Sequence, residues 1–353
     1  MSTLVSAQTL FSHGFESARA QARGGSHLIW YDVDSACVAE PQAILTDYHQ
    51  PGVRPQVLDT MAAMRAAGQQ RVAVVIFHAR GDNNPDGLVN ELVLDSTGGT
   101  LNKQYITNLT RLLQDIRDAG FHELLLRFAP QWINNPQDWE GNGGWNQSLF
   151  DENWALIQKL HPVVAANGMP YRIDLGVEGL PRARIIAGHV IADQPDNEEW
   201  SDYAQRLWEN YVNAYGKADS IGFSSVSGPD LEKADARVEH LRTIYRVNGS
   251  VELPPVIGVD LYAAGGISEG QFFSKWSQEL DQEGLGDLPI IVPEVYYNDA
   301  VAADDIQAAM TATGRAVPYL LQWPLERDEG CYPGDPVSVS EPTAFQHYLE
   351  HGF

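Results

Sequence analysis

The chain has 353 residues, 44% of them hydrophobic, which is enough for one large core and does not require a second domain. Its 47 acidic residues against 23 basic give a formal net charge of −24, and such a chain repels nucleic acid and anionic membranes. No window approaches the ~18 apolar residues of a membrane span. Residues 1–25 form an N-terminal segment without an apolar h-region, because Ser12, His13 and Glu16 interrupt it. The expected location is secreted or periplasmic, with a leader removed, and a cytoplasmic one is the alternative.

Residues 27–32 (HLIWYD) form the first predicted strand, and a helix follows over 55–67, with Leu58, Met61, Ala62 and Met64 near helical spacing and Gly68 as its stop. Residues 71–78 (RVAVVIFH) are a near-continuous β-branched run, as expected of a strand covered on both faces. A helix over 104–119 carries Ile106, Leu109, Leu112, Leu113 and Ile116 on one stripe and ends at Gly120. A strand at 123–128, a helix at 150–166 and a strand at 171–176 come next. The pattern continues with a helix at 200–215, a strand at 220–224, a helix at 229–247, a strand at 256–261 and a helix from 271 to 280. It ends with a strand at 289–292, a helix at 306–313, a strand at 318–322 and a last helix near 344–349.

Eight strands alternating with helices predict an α/β chain whose residues 26–353 close into a single (β/α)8 TIM barrel. A doubly wound open sheet would want a glycine-rich phosphate loop after an early strand, and the chain has neither Gly-x-Gly-x-x-Gly nor a Walker A pattern. The longest loops, 79–102, 129–148 and 179–198, all follow strands, and in a barrel they build the active face.

Two segments bear on chemistry. Residues 171–179 (YRIDLGVEG) and 288–297 (LPIIVPEVYY) each run as a strand, the fourth and the seventh, into a glutamate. Glycosidic cleavage needs one carboxylic acid to protonate the leaving oxygen and one carboxylate to attack the anomeric carbon or activate water. Alternation puts Ile290, Val292 and Glu294 on one face of a strand, and Arg172, Asp174, Gly176 and Glu178 on one face of another. If those faces point inward, Glu178 and Glu294 meet across the mouth; otherwise each sits on a solvated loop past its strand.

In these features the chain resembles clan A glycoside hydrolases, the barrel group that includes many cellulases, mannanases and xylosidases. The resemblance implies that Glu178 is the acid/base and Glu294 the nucleophile of a retaining enzyme acting on a poly- or oligosaccharide. It also implies that Trp323, in Gln322-Trp323-Pro324, floors a sugar subsite, and that Asp260-Leu261-Tyr262 supplies a tyrosine near the sixth strand. One departure is Val177, where the group usually carries an asparagine that binds the sugar 2-hydroxyl. The long loops favour endo action, with a deep exo pocket as the other possibility. A non-catalytic glycan-binding barrel is the alternative from a different class. A lyase or aldolase would want a Schiff-base lysine, and the predicted strands hold none.

Other strand-end residues fit a sugar site: Asp32 and Asp34 at the first strand, His78 and Arg80 at the second, Arg127, Gln131 and Trp132 at the third, and Tyr296 beyond the seventh. Arg127 either holds a nucleophilic carboxylate ionised or braces the barrel as a buried ion pair. Trp132, Trp139 and Trp145 share a loop with Asn134, Asn135, Asn142 and Asn146, a composition suited to sugar faces and hydroxyls. Trp200, Tyr203, Trp208 and Tyr211 are at helical spacing and are expected to pack a helix. Cys37 and Cys331 follow the first and eighth strands, which neighbour each other in a closed barrel, so a disulfide is geometrically plausible beside the reading of two free thiols. The histidines are scattered, so no catalytic metal is expected, nor any cofactor. The expected partner is a carbohydrate, with no nucleic acid and no membrane, and the expected state is a monomer.

Overall fold

The computed structural model describes residues 24–33, 39–42, 44–81, 93–227, 231–327 and 341–353, with the backbone alone for 30–33 and 39–42. The barrel strands are β1 (Gly25–His27), β2 (Arg71–Ala79), β3 (Glu123–Pro130), β4 (Tyr171–Asp174), β5 (Ser220–Gly222), β6 (Ile257–Asp260), β7 (Ile290–Ile291) and β8 (Leu321–Gln322). A parallel sheet runs β8-β1-β2-β3-β4-β5. Beyond β5, Ser225–Val226 continues to β6, which pairs with β7. A parallel bridge from Val292 to Leu320 joins β7 to β8 and completes the ring.

The first strand differs from expectation. It occupies Gly25–His27, and Trp30–Val33 turns off into an antiparallel hairpin with Ala39–Gln42. Gly25 permits the close approach to β2, since a Cβ there would lie 1.7 Å from the Arg71 carbonyl oxygen. At the end of β5, Gly222 has φ +70° and lies against the Tyr245 ring, where a Cβ would come within 2.3 Å of the hydroxyl.

The helices are α1 (Val53–Ala66), α2 (Lys103–Asp118), α3 (Gln147–Ala165), α4 (Glu198–Tyr215), α5 (Glu232–Ile244), α6 (Glu269–Gln282), α7 (Ala300–Thr313) and the short α8 (Gln346–Glu350). Short polar residues set several starts. Asn102, Asn146, Asn197 and Asp299 each accept a hydrogen bond from a first-turn amide, and Ser268 with Gln271 forms a capping box. These caps start α6 and α7 earlier than hydrophobic spacing alone implies, because residues 300–303 are small and carry little periodicity.

The outward faces of the strands meet the helices in one large core, with Val72, Val74 and Ile76 of β2 beside Leu124, Leu126 and Phe128 of β3. Ala73, Leu125, Ile221, Ile291 and Leu321 fill the barrel itself. Above them Ile29, Val75, Ala129 and Trp323 form an apolar collar at the mouth. Among the described residues, no helix is long and apolar enough to cross a membrane. Cys37 and Cys331 lie outside the described residues.

Candidate active site

Alternation along β3 determines what stands at the centre. Leu125, Arg127 and Ala129 face the axis, and the residues between them face the helices. Arg127 is therefore a guanidinium inside the barrel, 0% exposed, in register with Val75 of the collar. Its Nε donates to Asp174 Oδ2 of β4 at 2.9 Å, and Nη2 donates to Asp260 Oδ2 of β6 at 3.0 Å and to Ser224 Oγ at 2.9 Å. Nη1 donates to Glu294 Oε1 and faces His27 Nε2 at 3.1 Å. Burial alone would lower the guanidinium's pKa, but Asp260, Glu294 and Asp174 outweigh it and hold Arg127 well above its ordinary range. Arg127 thus ties β3 to Asp174, Asp260 and Glu294 on three other strands.

Glu294 reaches the axis by a route that alternation did not anticipate. Ile290 and Val292 face the helices and Ile291 faces the lumen. Regular pairing stops at Val292, and the bend at Pro293 turns Glu294 inward, opposite to the face its parity with Ile290 implies. The backbone there is tied on both sides: Leu261 N donates to Glu294 O at 2.9 Å, and Trp323 N donates to Val295 O at 2.8 Å. Tyr262 donates its hydroxyl to Glu294 Oε2 at 3.0 Å. Each carboxylate oxygen of Glu294 thus has a donor.

Glu178 lies four residues past the end of β4. The chain turns after Asp174, whose Oδ1 accepts from the amides of Gly176 and Ser224, each at 3.1 Å, and so ties the β4 turn to the loop after β5. Glu178 itself has φ +52°, a left-handed conformation uncommon for glutamate. Its amide donates to Ser224 Oγ at 2.9 Å, the same hydroxyl that accepts from Arg127. Glu178 lies on the side it shares with Asp174, and this turn past the strand's end brings it to the mouth.

Oxygens of Glu178, Asp260 and Glu294 all lie within 4.8 Å of one another. Burial, then the Glu294 charge, pushes the Glu178 carboxyl up to about 7. Burial also pushes Asp260 well above the carboxylate range against the pull of Arg127, with Glu294 and Glu178 adding to the rise. Among the described residues this is the group of three that could share a cation. A cation there would compete with Arg127, which already supplies positive charge to Asp260 and Glu294.

A cavity of about 360 Å³ opens over this cluster, lined by Glu178, Glu294, Trp323, Phe77, Val177, Gln131, Asn135 and Gln137, among others. Trp323 sits at the collar with its ring 4.6 Å from that of His27. Burial, then Arg127, holds His27 well below its ordinary pKa. The neutral ring directs Nδ1 at the Gln322 carbonyl, 3.1 Å away, so Nδ1 carries the proton and Nε2 accepts from Arg127. Val177 packs at the collar, where it offers only an apolar contact.

Several expected site residues lie elsewhere. His78 faces away from the axis, buried against Ser96 Oγ at 3.0 Å, because it shares parity with Val74 and Ile76; burial lowers its pKa to about 3. Arg80 pairs with Glu152 at 2.9 Å. Trp132 packs on Ala79 and Val93. Trp139 is buried edge-on to Trp145 and Tyr203, so the tryptophan loop packs mainly on itself. Of its asparagines, Asn135 lines the cavity, while Asn134 bonds Glu152 and Asn153, and Asn146 caps α3. Tyr296 sets its ring 4.9 Å from that of Tyr262 and braces it. The side chain of Asp32, like Asp34, lies outside the described residues.

Conversely, Trp200 and Tyr203, expected only to pack a helix, line the cavity, and Trp200 Nε1 donates to Gly179 O at 2.8 Å beside Glu178. His27 and Ser224 also belong to the site and were not anticipated. Ser224 carries no sequence signal, since its role depends on Glu178 and Arg127 arriving from two other strands.

No family model matches the chain, and no curated protein matches it by sequence. Among solved structures it is similar to a GH5 family lichenase from Caldicellulosiruptor sp. F32, at 8% identity over 100% of this chain and 97% of that one, with a TM-score of 0.54. It is also similar to beta-glucosidase 2 from the fungus Trichoderma reesei, at 11% identity over 94% and 97% of the two chains and a TM-score of 0.56. A beta-1,4-D-mannanase from Cryptopygus antarcticus matches at 12% identity over 91% and 94%, with a TM-score of 0.53. The chain has the barrel fold of these glycoside hydrolases and shares 8% to 12% of its sequence with them.

Proposed function

We propose that this protein is a retaining glycoside hydrolase acting on a poly- or oligosaccharide, with Glu294 as nucleophile and Glu178 as acid/base. The observation that carries this is the approach of the two carboxylates to within 4.8 Å in one cavity, in opposite electrostatic settings. Retaining enzymes hold the pair ~5–5.5 Å apart, and inverting enzymes leave room for a water at ~6.5–9.5 Å. Glu294 receives a guanidinium and a phenol hydroxyl, the setting of an anion. Glu178, raised to about 7, keeps a proton near neutrality. The fold likeness to a lichenase, a beta-glucosidase and a mannanase is consistent with this class of reaction.

In the first step a Glu294 oxygen attacks the anomeric carbon. The bond to the glycosidic oxygen breaks as Glu178 delivers its proton to that oxygen, leaving a glycosyl ester on Glu294 and an ionised Glu178. Glu178 then takes a proton from water, whose oxygen attacks the anomeric carbon and releases Glu294. Trp323 offers an apolar face to the sugar, and Gln131, Asn135 and Gln137 supply amides in place of the asparagine that Val177 replaces. The length of the loops after β3 and β4 favours cleavage within a chain.

The test is a glycan panel assayed for new reducing ends with wild type and two variants. Glu294→Gln is expected to abolish turnover of every substrate. Glu178→Ala is expected to lose natural polysaccharide, to retain the first step on an activated aryl glycoside, and to be partly rescued by azide with retention of configuration. Wild-type cleavage of polysaccharide by Glu178→Ala would remove Glu178 from the acid role. Tight glycan binding without turnover by the native chain would favour the non-catalytic barrel.

A further inference from the structure

The loops after β6, β7 and β8 meet at a side chain that the proposed reaction does not use. Arg327, in the loop after β8, donates Nε to Asp299 Oδ2 at 2.7 Å. Its Nη2 donates to Asp299 Oδ1 at 3.1 Å and to Glu269 Oε1 at 2.7 Å. Glu269 opens α6 and Asp299 caps α7, so one guanidinium fastens the β8 loop to the helices that follow β6 and β7. Glu269 is 0% exposed, and its Oε2 has no hydrogen-bond partner among the described residues. A buried carboxylate served on one oxygen only is costly to hold without its cation.

This clamp reaches Glu294 through two tyrosine rings. Arg327 Cζ stands over the Tyr296 ring, 4.9 Å from its centroid. That ring meets the Tyr262 ring edge-on at 4.9 Å, and Tyr262 donates its hydroxyl to Glu294 Oε2 at 3.0 Å. A second route runs along the backbone. Glu269 Oε1 accepts from the Ala263 amide at 3.3 Å, and the Tyr296 hydroxyl donates to the Ala263 carbonyl at 3.4 Å. Both routes converge on Tyr262 and the residue after it. Arg327 does not line the cavity, so its reach into the chemistry runs through Tyr262.

We propose that Arg327 is a positioning residue, which fixes the Tyr296–Tyr262 pair so that the Tyr262 hydroxyl orients the Glu294 carboxylate. This assignment rests on Glu294 being the nucleophile. Arg127 holds Oε1 and Tyr262 holds Oε2, so the rotation of the carboxylate is set from both sides. Loss of the clamp frees one side. A misplacement of about 1 Å at an attacking atom can cost about a hundredfold in rate, even when the mutation lies far from the chemistry.

The experiment pairs kinetics with a probe that needs no turnover. On an activated aryl glycoside, Arg327→Met is expected to lower kcat about tenfold with KM little changed, since the side chain stays outside the cavity. Arg327→Lys keeps a cation between Asp299 and Glu269 and is expected to recover part of the rate. Tyr296→Leu leaves the ion pairs in place and is expected to lower kcat in the same way, so it decides the matter where Arg327→Met fails to fold. Adding Arg327→Met or Tyr296→Leu to Tyr262→Phe is expected to cost no further rate, because the hydroxyl they position is already gone. Losses that multiply instead would assign Arg327 to the fold alone and overturn the proposal, as would an unchanged kcat in Tyr296→Leu. With 3-fluorotyrosine in place of Tyr262, the native chain is expected to give one sharp fluorine NMR line. Arg327→Met or Tyr296→Leu should broaden or divide that line, and Arg327→Lys should restore much of its sharpness. A line that neither variant alters overturns the clamp, whether or not the chain cleaves a glycoside. A line that responds as expected in a chain that cleaves nothing would sink the hydrolase proposal and leave the clamp standing.

Discussion

The barrel holds two arginine–carboxylate clusters, one at each end of its lumen, and they are built on opposite ratios. At the N-terminal floor Arg71 and Arg172 share one carboxylate, with Arg172 Nε 3.3 Å and Arg71 Nε 3.9 Å from Glu123 Oε1, and Arg71 also lies over the Tyr319 ring. At the mouth one guanidinium serves Asp174, Asp260 and Glu294, with Glu178 nearby. The floor side chains keep partial contact with water, 16 to 28% exposed, whereas Arg127 and its first two partners have none. A surplus of cation near solvent plugs the end of a barrel. A surplus of buried carboxylate around one cation cannot all ionise, so protons are retained where chemistry can use them.

The largest expected effect tests that contrast directly. Arg127→Met strands three carboxylates in the lumen and is expected to cost about 3–5 kcal/mol in urea unfolding. Arg172→Met, at the floor, is expected to cost about 0–1 kcal/mol, because Arg71 still faces Glu123 and water reaches both. Equal losses from the two variants would erase the distinction between floor and mouth.

The next effect is on pH dependence. A carboxyl raised from 4.5 to about 7 favours the folded state fully below pH 4.5, and that contribution is lost as pH rises through about 7. Glu178→Gln should therefore be the more stable protein at pH 8, by on the order of 2 kcal/mol, with the difference shrinking toward pH 5. Wild-type activity should fall as pH rises through about 7, where the acid loses its proton. Parallel stability curves for the two proteins across that range would contradict the raised carboxyl.

The smallest effect concerns Ser224, whose hydroxyl serves both Arg127 and the Glu178 amide. Ser224→Ala is expected to cost about 1 kcal/mol and to lower kcat on poor leaving groups more than on activated ones, since the turn that carries Glu178 loosens. Equal kcat losses on both substrate types would assign Ser224 to the fold alone.

Strands β2 and β3 were legible because long β-branched and aliphatic runs have few other uses, and the alternation of strands with helices was enough to anticipate a closed barrel. Glu178 and Glu294 were legible as glutamates at strand ends, but the route of each to the mouth was not. A proline bend turns Glu294 inward against strand parity, whereas Glu178 lies on the side it shares with Asp174 but past the strand's end, in a left-handed turn. The partners of Arg127 come from residues 174, 260 and 294, on three other strands, so only closure of the ring brings them together. The tryptophan loop misled for a related reason. Composition suited to sugar faces also suits edge-on packing of tryptophan on tyrosine, which is what Trp139 does with Tyr203.

The left-handed backbone at Glu178 has a consequence for directed evolution. A glutamate at φ +52° carries a conformational penalty of about 1–2 kcal/mol that glycine would not. A library selected for heat resistance alone should accumulate glycine or asparagine at this position, and each such gain would delete the carboxyl proposed as the proton donor. Selection for melting temperature and selection for turnover should therefore diverge at this codon, and libraries meant to keep function should hold it constant.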